Sequence, residues 1–371
     1  MTAQIQTDVS ASSKVPDNFK ERDKPKETAA PLVTITFVAW MRQELLQKGI
    51  ESALALDYHP IEILIVDNSP SDDIYLWIER AYPTVKSIKT FSPLPLPMVR
   101  NILVASARGK YVIFHDDDSR FDETTGLSSA VQYLERNPQV ACLAFRQGDG
   151  RGTWNPQFDG SSVCPTYTYI ACAVMFRRSD YFQAGGYFER YPLYGEELIL
   201  SLGFFGLGKE IHYYPDVAIV HQQVMQGRCQ DPGKRYHLAD IIMTPGAMLL
   251  KAPLPDLLFW YPLLLLWTAY KVAVFKRRPI VAIRGLLEAL VWVPTFLRER
   301  RAIPRGQFHR WTQTRKEYQR GTHERIRGGN SQAPAQLEAK SMTNSNTKVC
   351  TDGYGAQNEP HTRAGRAARR R

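Results

Sequence analysis

The chain has 371 residues, 44% of them hydrophobic, which is enough for one large domain or two ordinary ones around a substantial core. Its net charge of +10 is uneven: from Lys276 onward there are 21 Lys/Arg against 7 Asp/Glu, and the remainder is mildly acidic, so the last quarter is the part suited to an anionic surface. The five cysteines form no Cys-x-x-Cys pair, which argues against a zinc ribbon or a disulfide framework and for buried free thiols.

Residues 1–30 are polar and lack the apolar core of a signal peptide; they read as a disordered leader, with the following part expected in the cytoplasm. Val33–Val38 is a β-rich run, followed by Leu45, Leu46, Ile50, Ala53 and Leu54 at helical spacing. Ile61–Val66 is near-continuously apolar, as a strand covered on both faces requires, and it ends in Asp67. A helix is expected over 72–81, a strand over 86–91, and a helix over 98–108 closed by Gly109. Tyr111–Phe114 then runs into Asp116, Asp117 and Asp118. This alternation of strand and helix predicts a parallel, right-handedly wound sheet whose ligands sit at the carboxyl ends of the strands, where both Asp67 and the Asp triad fall. Three adjacent carboxylates repel one another, and a hard divalent cation such as Mg²⁺ or Mn²⁺ relieves that repulsion. A charged turn or a helix cap is the alternative.

Further on, a helix is expected over 124–137, a strand over 140–145, a loop over 146–166, a β-like segment over 168–176, and a short helix from Ser179 to Gly185-Gly186. Gly195-Glu196-Glu197 opens another helix, and a last strand over 210–220 ends at His221. Leu257–Phe275 and Pro279–Phe296 are strongly apolar but carry Pro262, Lys271, Arg284 and Glu288. Charges at that depth are costly in a bilayer core, so helices lying in the membrane interface are expected, with Trp260, Tyr261, Trp267, Tyr270 and Trp292 at headgroup level. A helical subdomain folded on the sheet and a true span are the alternatives. The Ser-, Asn-, Gly- and Arg-rich residues 328–371 read as a disordered basic tail.

Six segments taken together resemble the family-2 glycosyltransferases, above all their rhamnosyltransferase-like members, over about residues 31–225. They are Ile35–Arg42, Ile63–Ser69, Val99-Arg100-Asn101, Gly109–Asp118, Gly185–Glu189 with Tyr194–Leu198, and Val220-His221. The resemblance implies a GT-A fold over residues 31–250, a mostly parallel α/β sheet flanked by helices, followed by a hydrophobic or amphipathic helical region over 251–327. It implies metal-dependent, inverting transfer of a sugar from a nucleotide-diphosphate donor to a hydroxyl of a glycan or lipid-linked acceptor, in cell-surface polysaccharide synthesis. Ala39, Trp40, Arg42, Asp67, Arg100, Asn101, Asp116 and Asp117 would line the donor site, with Trp40 where the family stacks a tyrosine on the base. Asp118, Asp116 and His221 would hold Mg²⁺ or Mn²⁺, and Glu197, with Glu196 second, would be the catalytic base. The pattern departs at Met41, where the family has Asn, at Glu197 in a Glu-Asp pair, and at Ile199 and Gly203, where it has Asp and Arg.

The expected place of action is peripheral, on the inner face of the plasma membrane at an anionic surface, with no nucleic-acid partner. A non-catalytic membrane-docked binding protein is one alternative. A processive polysaccharide synthase is another, because Gln307, Arg310 and Trp311 fit a Gln-x-x-Arg-Trp pattern. A nucleotidyltransferase would want a glycine-rich loop, and Ala39–Arg42 has none.

Overall fold

A computed structural model describes residues 30–190, 195–222 and 232–328. Most of the expected leader, the basic tail, Tyr194, Cys229 and Cys350 lie outside the described residues.

Strand β1 (Val33–Ala39), helix α1 (Gln43–Leu54), β2 (Ile61–Asp67), α2 (Asp73–Ala81), β3 (Lys86–Lys89), α3 (Leu96–Ser106) and β4 (Tyr111–Asp116) follow the expected alternation. They build the parallel half of a nine-stranded sheet in the order β3-β2-β1-β4. Every residue of β1 is buried, and in β2 only Ile61 is partly exposed, which is why both read as unbroken apolar runs. The register sets Ala39 beside Asp67 and Val38 beside Asp116, so the ends of three neighbouring strands share one line across the sheet.

The second half is mixed. It adds β5 (Ser119–Phe121), α4 (Leu127–Arg136), β6 (Val140–Gly148), β7 (Cys164–Thr166), β8 (Val174–Arg177), α5 (Arg178–Gln183), α6 (Glu196–Gly206) and β9 (Glu210–His221). β8 is antiparallel to β4 and to β6, β6 and β9 are parallel, and β5 and β7 pair antiparallel with β9. The expected loop over 146–166 holds the end of β6, a 3₁₀ turn at Pro156–Phe158 and β7. The β-like stretch 168–176 is strand only from Val174.

Gly109 has a different role from the one expected. Helix α3 ends at Ser106 with Ala107 as its cap, and Gly109 lies where a Cβ would sit 2.6 Å from the Thr34 backbone nitrogen. The glycine admits close approach of β1 to the turn before β4.

Four helices follow: α7 (Pro232–Lys251), α8 (Leu254–Tyr270, continued by a π turn at Lys271–Phe275), α9 (Pro279–Arg298) and α10 (Arg305–Gly328). The largest core cluster is continuous from the sheet into these helices, joining Leu64, Phe176 and Phe204 to Met248, Phe296 and Trp311. Trp311 is buried, and its Nε1 donates to the Tyr167 carbonyl at 3.1 Å. Arg310 pairs with Glu210 at the first residue of β9. Strand β9 runs beside the nine residues Val140–Gly148 of β6, so at roughly 3.3 Å per step its first residue, Arg310's partner Glu210, lies about 25–30 Å from His221 at the other end. The Gln-x-x-Arg-Trp residues thus clasp α10 onto the sheet, far from the carboxyl-end mouth.

Candidate active site

The site is built where β1, β2 and β4 end. Asp67 is fully buried, accepts the Ser69 backbone N–H at 2.9 Å on Oδ1, and faces Lys89 Nζ at 3.4 Å on Oδ2. Just past β1, the Trp40 backbone N–H donates to Asp117 Oδ2 at 2.7 Å, and Arg42 pairs with Asp117 at 2.7 Å and with Asp118. Met41 between them has φ 59°, a left-handed conformation that costs a non-glycine residue about 1–2 kcal/mol, and its N–H is held by Ser69 Oγ at 3.0 Å. The family's asparagine at this position tolerates that conformation better than methionine does.

The Asp triad forms the turn from β4 into β5. Ser119 Oγ closes the turn by donating to the Asp116 carbonyl at 3.0 Å, and the Gln222 N–H donates to the Asp118 carbonyl at 2.8 Å. β5 pairs Ser119 with His221, which delivers the imidazole to the triad: His221 Nε2 stands 3.1 Å from Asp118 Oδ1. Burial alone would lower the His221 pKa, but Cys172, Asp118 and Asp116 outweigh it and raise it to about 11. Burial pushes Asp117 up against the pull of Arg42, whereas Arg100 and His221 overcome burial and hold Asp116 low.

On the other side, α6 presents Glu196 and Glu197 in its first turn, entered through Gly195 at φ +84°. A Cβ there would meet Met243 of α7 at 2.6 Å, so position 195 calls for glycine on both counts. Arg100 of α3 reaches across with its side chain only 4% exposed, binding Asp116 at 2.8 Å and Glu196 at 3.1 Å. Its charge also lies over the Tyr187 ring, 5.9 Å from the centroid. Among the described residues no side chain hydrogen-bonds to Glu197. Burial, and then Glu196 beside it, push Glu197 up to about 8.

The structure therefore brings Trp40, Arg42, Asp116, Asp117, Asp118, His221, Arg100, Glu196 and Glu197 into one continuous cluster, with Ala39 and Asp67 in the neighbouring strand ends. Asn101 turns elsewhere: its amide donates to the Tyr187 carbonyl at 2.9 Å and to Glu189 at 2.7 Å, and it accepts from Tyr181. Three further residues join the cluster. Lys89 faces Asp67, and Gln147 contacts His221 Nδ1 at 3.2 Å. Cys172 lies with Asp116 and His221 so that their ligand atoms are all within 4.8 Å of one another. None carries a local sequence signal, because the tertiary fold alone brings them near. Donors on opposite sides of one ion bound at 2.1–2.3 Å are about 4.5 Å apart, so the spacing fits a divalent cation after a small adjustment.

Residues 33–194 match the family model for glycosyl transferase family 2, under half of the chain. Over 105 residues the chain is 30% identical to the Escherichia coli UDP-Glc:alpha-D-GlcNAc-diphosphoundecaprenol beta-1,3-glucosyltransferase WfaP, a stretch of 28% of this chain and 41% of that protein. Among solved structures, it is similar to the Pyrobaculum calidifontis mannosyltransferase PcManGT in complex with GDP-Man and Mn²⁺, with a TM-score of 0.48 and 16% identity over 82% of this chain and 89% of the other. It is also similar to S. aureus TarS 1-349, with a TM-score of 0.49 and 13% identity over 81% and 93%. The strand order and the carboxylates at the strand ends agree with the match of residues 33–194 to the family-2 glycosyltransferase model.

Proposed function

We propose that this protein transfers a sugar from a nucleotide-diphosphate donor to a hydroxyl of a lipid-linked glycan, with inversion and with a divalent cation. The observation that carries the proposal is the Arg100 bridge: one buried guanidinium ties the acids at the end of β4 to the acid pair opening α6. Donor-side charge and an acceptor-side base are thereby held in one frame. Asp67, steadied by Ser69 and Lys89, offers a fixed acceptor at the end of β2 for the base of the nucleotide. Asp116, Asp118 and His221 would hold Mg²⁺ or Mn²⁺. When bound, the ion supplies positive charge against the departing diphosphate. Glu196 is engaged by Arg100, which leaves Glu197 to take the acceptor proton. The relative WfaP is named for a diphosphoundecaprenol substrate, which supports an acceptor of that chemical class.

The test is a thermal-shift screen of UDP-, dTDP- and GDP-sugars with and without Mn²⁺, since a ligand at a hundredfold its Kd stabilises the fold by about 2.7 kcal/mol. One donor is expected to raise Tm in a Mn²⁺-dependent way, and Asp118→Ala to abolish the Mn²⁺-dependent part. No shift with any donor, or a shift unchanged in Asp118→Ala, would reject the reading.

The C-terminal helices favour a peripheral position on an anionic bilayer. Leu254–Phe275 and Pro279–Arg298 are each long and apolar enough to cross a membrane, with mean hydropathies of 1.5 and 1.8, and are only 22% and 28% buried. Their open faces carry Leu258, Phe259, Leu266, Ile283, Leu287, Leu290 and Val291. The Arg284–Glu288 pair on α9 would lie in the hydrocarbon of a spanning helix, and Lys276-Arg277-Arg278 at the hairpin bend complement anionic headgroups. Binding to vesicles containing phosphatidylglycerol is therefore expected, weakening on the order of tenfold or more in Leu258→Ser/Phe259→Ser/Leu290→Ser, with the donor-induced Tm shift retained. Flotation assays measure this. Equal binding by the triple variant would exclude the α8–α9 face.

A further inference from the structure

The fold places a soft donor beside the expected carboxylate and imidazole ligands. β8 runs antiparallel to β4 with Val174 opposite Phe114 and Met175 opposite Ile113. Cys172 stands in the turn just before β8, closed by the Ala173 N–H donating to the Ile170 carbonyl at 2.9 Å, and β8 lies directly beside the strand that ends in Asp116. His221 arrives from the opposite direction through β5 and β9. Its side chain is 10% exposed, and its Nε2 stands 3.1 Å from Asp118 Oδ1. The Cys172 thiol is itself buried. An oxygen, a nitrogen and a sulfur donor thus converge within 4.8 Å.

Resting on the reading of a cation-assisted transfer, we infer that Cys172 is a metal ligand of this site, which makes the site one for a borderline or soft divalent ion (Mn²⁺, Co²⁺, Zn²⁺, Cd²⁺) in preference to Mg²⁺. The physical reason is ligand softness. Mg²⁺ holds to oxygen ligands and sheds water reluctantly, whereas thiolate and imidazole stabilise later transition ions. Cys172 coordinates as the thiolate, and its proton leaves to bulk water as the metal–sulfur bond forms. Asp116 and His221 complete the set, with Asp118 beside them.

The experiment is a Co²⁺ titration of the full-length protein in the presence of UDP, dTDP or GDP, followed by absorption. Wild type is expected to develop a near-ultraviolet sulfur-to-cobalt charge-transfer band together with the visible bands of bound Co²⁺. The band is expected to persist in Cys164→Ser/Cys229→Ser/Cys350→Ser and to vanish in Cys172→Ser and Cys172→Ala, with far-ultraviolet circular dichroism confirming folding. Calorimetry should show Cd²⁺ affinity falling on the order of 10–100-fold in Cys172→Ser, with Mg²⁺ affinity changing less than about threefold. Visible Co²⁺ bands without a charge-transfer band in wild type would overturn the inference by themselves while leaving the cation-assisted reading intact. A charge-transfer band that survives in both Cys172 variants would do the same. Absence of Co²⁺ and Mn²⁺ binding with every nucleotide would overturn both.

Discussion

Replacing Glu197 with Gln is expected to lower kcat by roughly 10²–10⁴, the range a positioned general base contributes, while the donor-induced Tm shift persists. The argument starts from position. Glu196 and Glu197 share the first turn of α6, but Glu196 is committed to Arg100 and buried, whereas Glu197 is half-buried, with no side-chain hydrogen bond among the described residues. The electrostatics agree. Burial and the neighbouring Glu196 disfavour the ionised form, so Glu197 is protonated until about pH 8 and, once ionised, is a stronger base than an ordinary carboxylate. A base acts only when ionised, so the wild-type rate should rise about tenfold per pH unit well below 8 and level off above it. Stopped assays of transfer across pH check both points. Glu196→Gln leaves the base in place and weakens only its support, so a larger loss there than in Glu197→Gln would reverse the assignment. Unchanged turnover in Glu197→Gln would remove it.

How much of this was legible depended on where the chemistry sits. The parallel half could be read because its strands are covered on both faces and so write themselves as apolar runs. Acids that end such runs, at Asp67 and at Asp116–Asp118, have no packing reason to be there and stand out. His221 stood out in the same way at the end of β9. The short strands β5 and β7, three residues each, are below the length at which a period can be counted. Helix α7 is hard to read because Pro245 and Gly246 interrupt its pattern, and the reason for the glycine lies in another helix: Phe296 is 2.6 Å from where a Gly246 Cβ would be. Cys172 and Lys89 were invisible for a different reason. Lys89 lies opposite Asp67 across a strand pair, and Cys172 comes beside Asp116 and His221 from the turn before β8; one sequence states neither neighbourhood. Arg100 reads as a donor-site residue, but its two protein partners, Asp116 and Glu196, come from elements distant in sequence and could not be read from it.

That bridge makes Arg100→Met the change with the largest expected cost to the fold. Methionine matches the length of the arginine stem but leaves Asp116 and Glu196 facing each other without their shared cation. Removing one partner of a buried ion pair costs about 3–5 kcal/mol, because the remaining charge keeps its desolvation penalty and loses its compensation. Urea denaturation should show that loss. The double variant Arg100→Met/Glu196→Gln removes one of the two stranded charges, and should be more stable than Arg100→Met alone by on the order of 1–3 kcal/mol. Lysine is a poor substitute, since a single ammonium cannot span two carboxylates as the guanidinium fork does. Kinetics separate support from simple stability. With the bridge gone, Asp116 and α6 are positioned independently, so kcat in Arg100→Lys should fall more than the donor KM rises, at a temperature where the variant is fully folded. A loss below about 1 kcal/mol in Arg100→Met, or strict additivity with Glu196→Gln, would mean that the two halves of the site are held together by packing alone, and the observation on which the functional reading rests would lose its force.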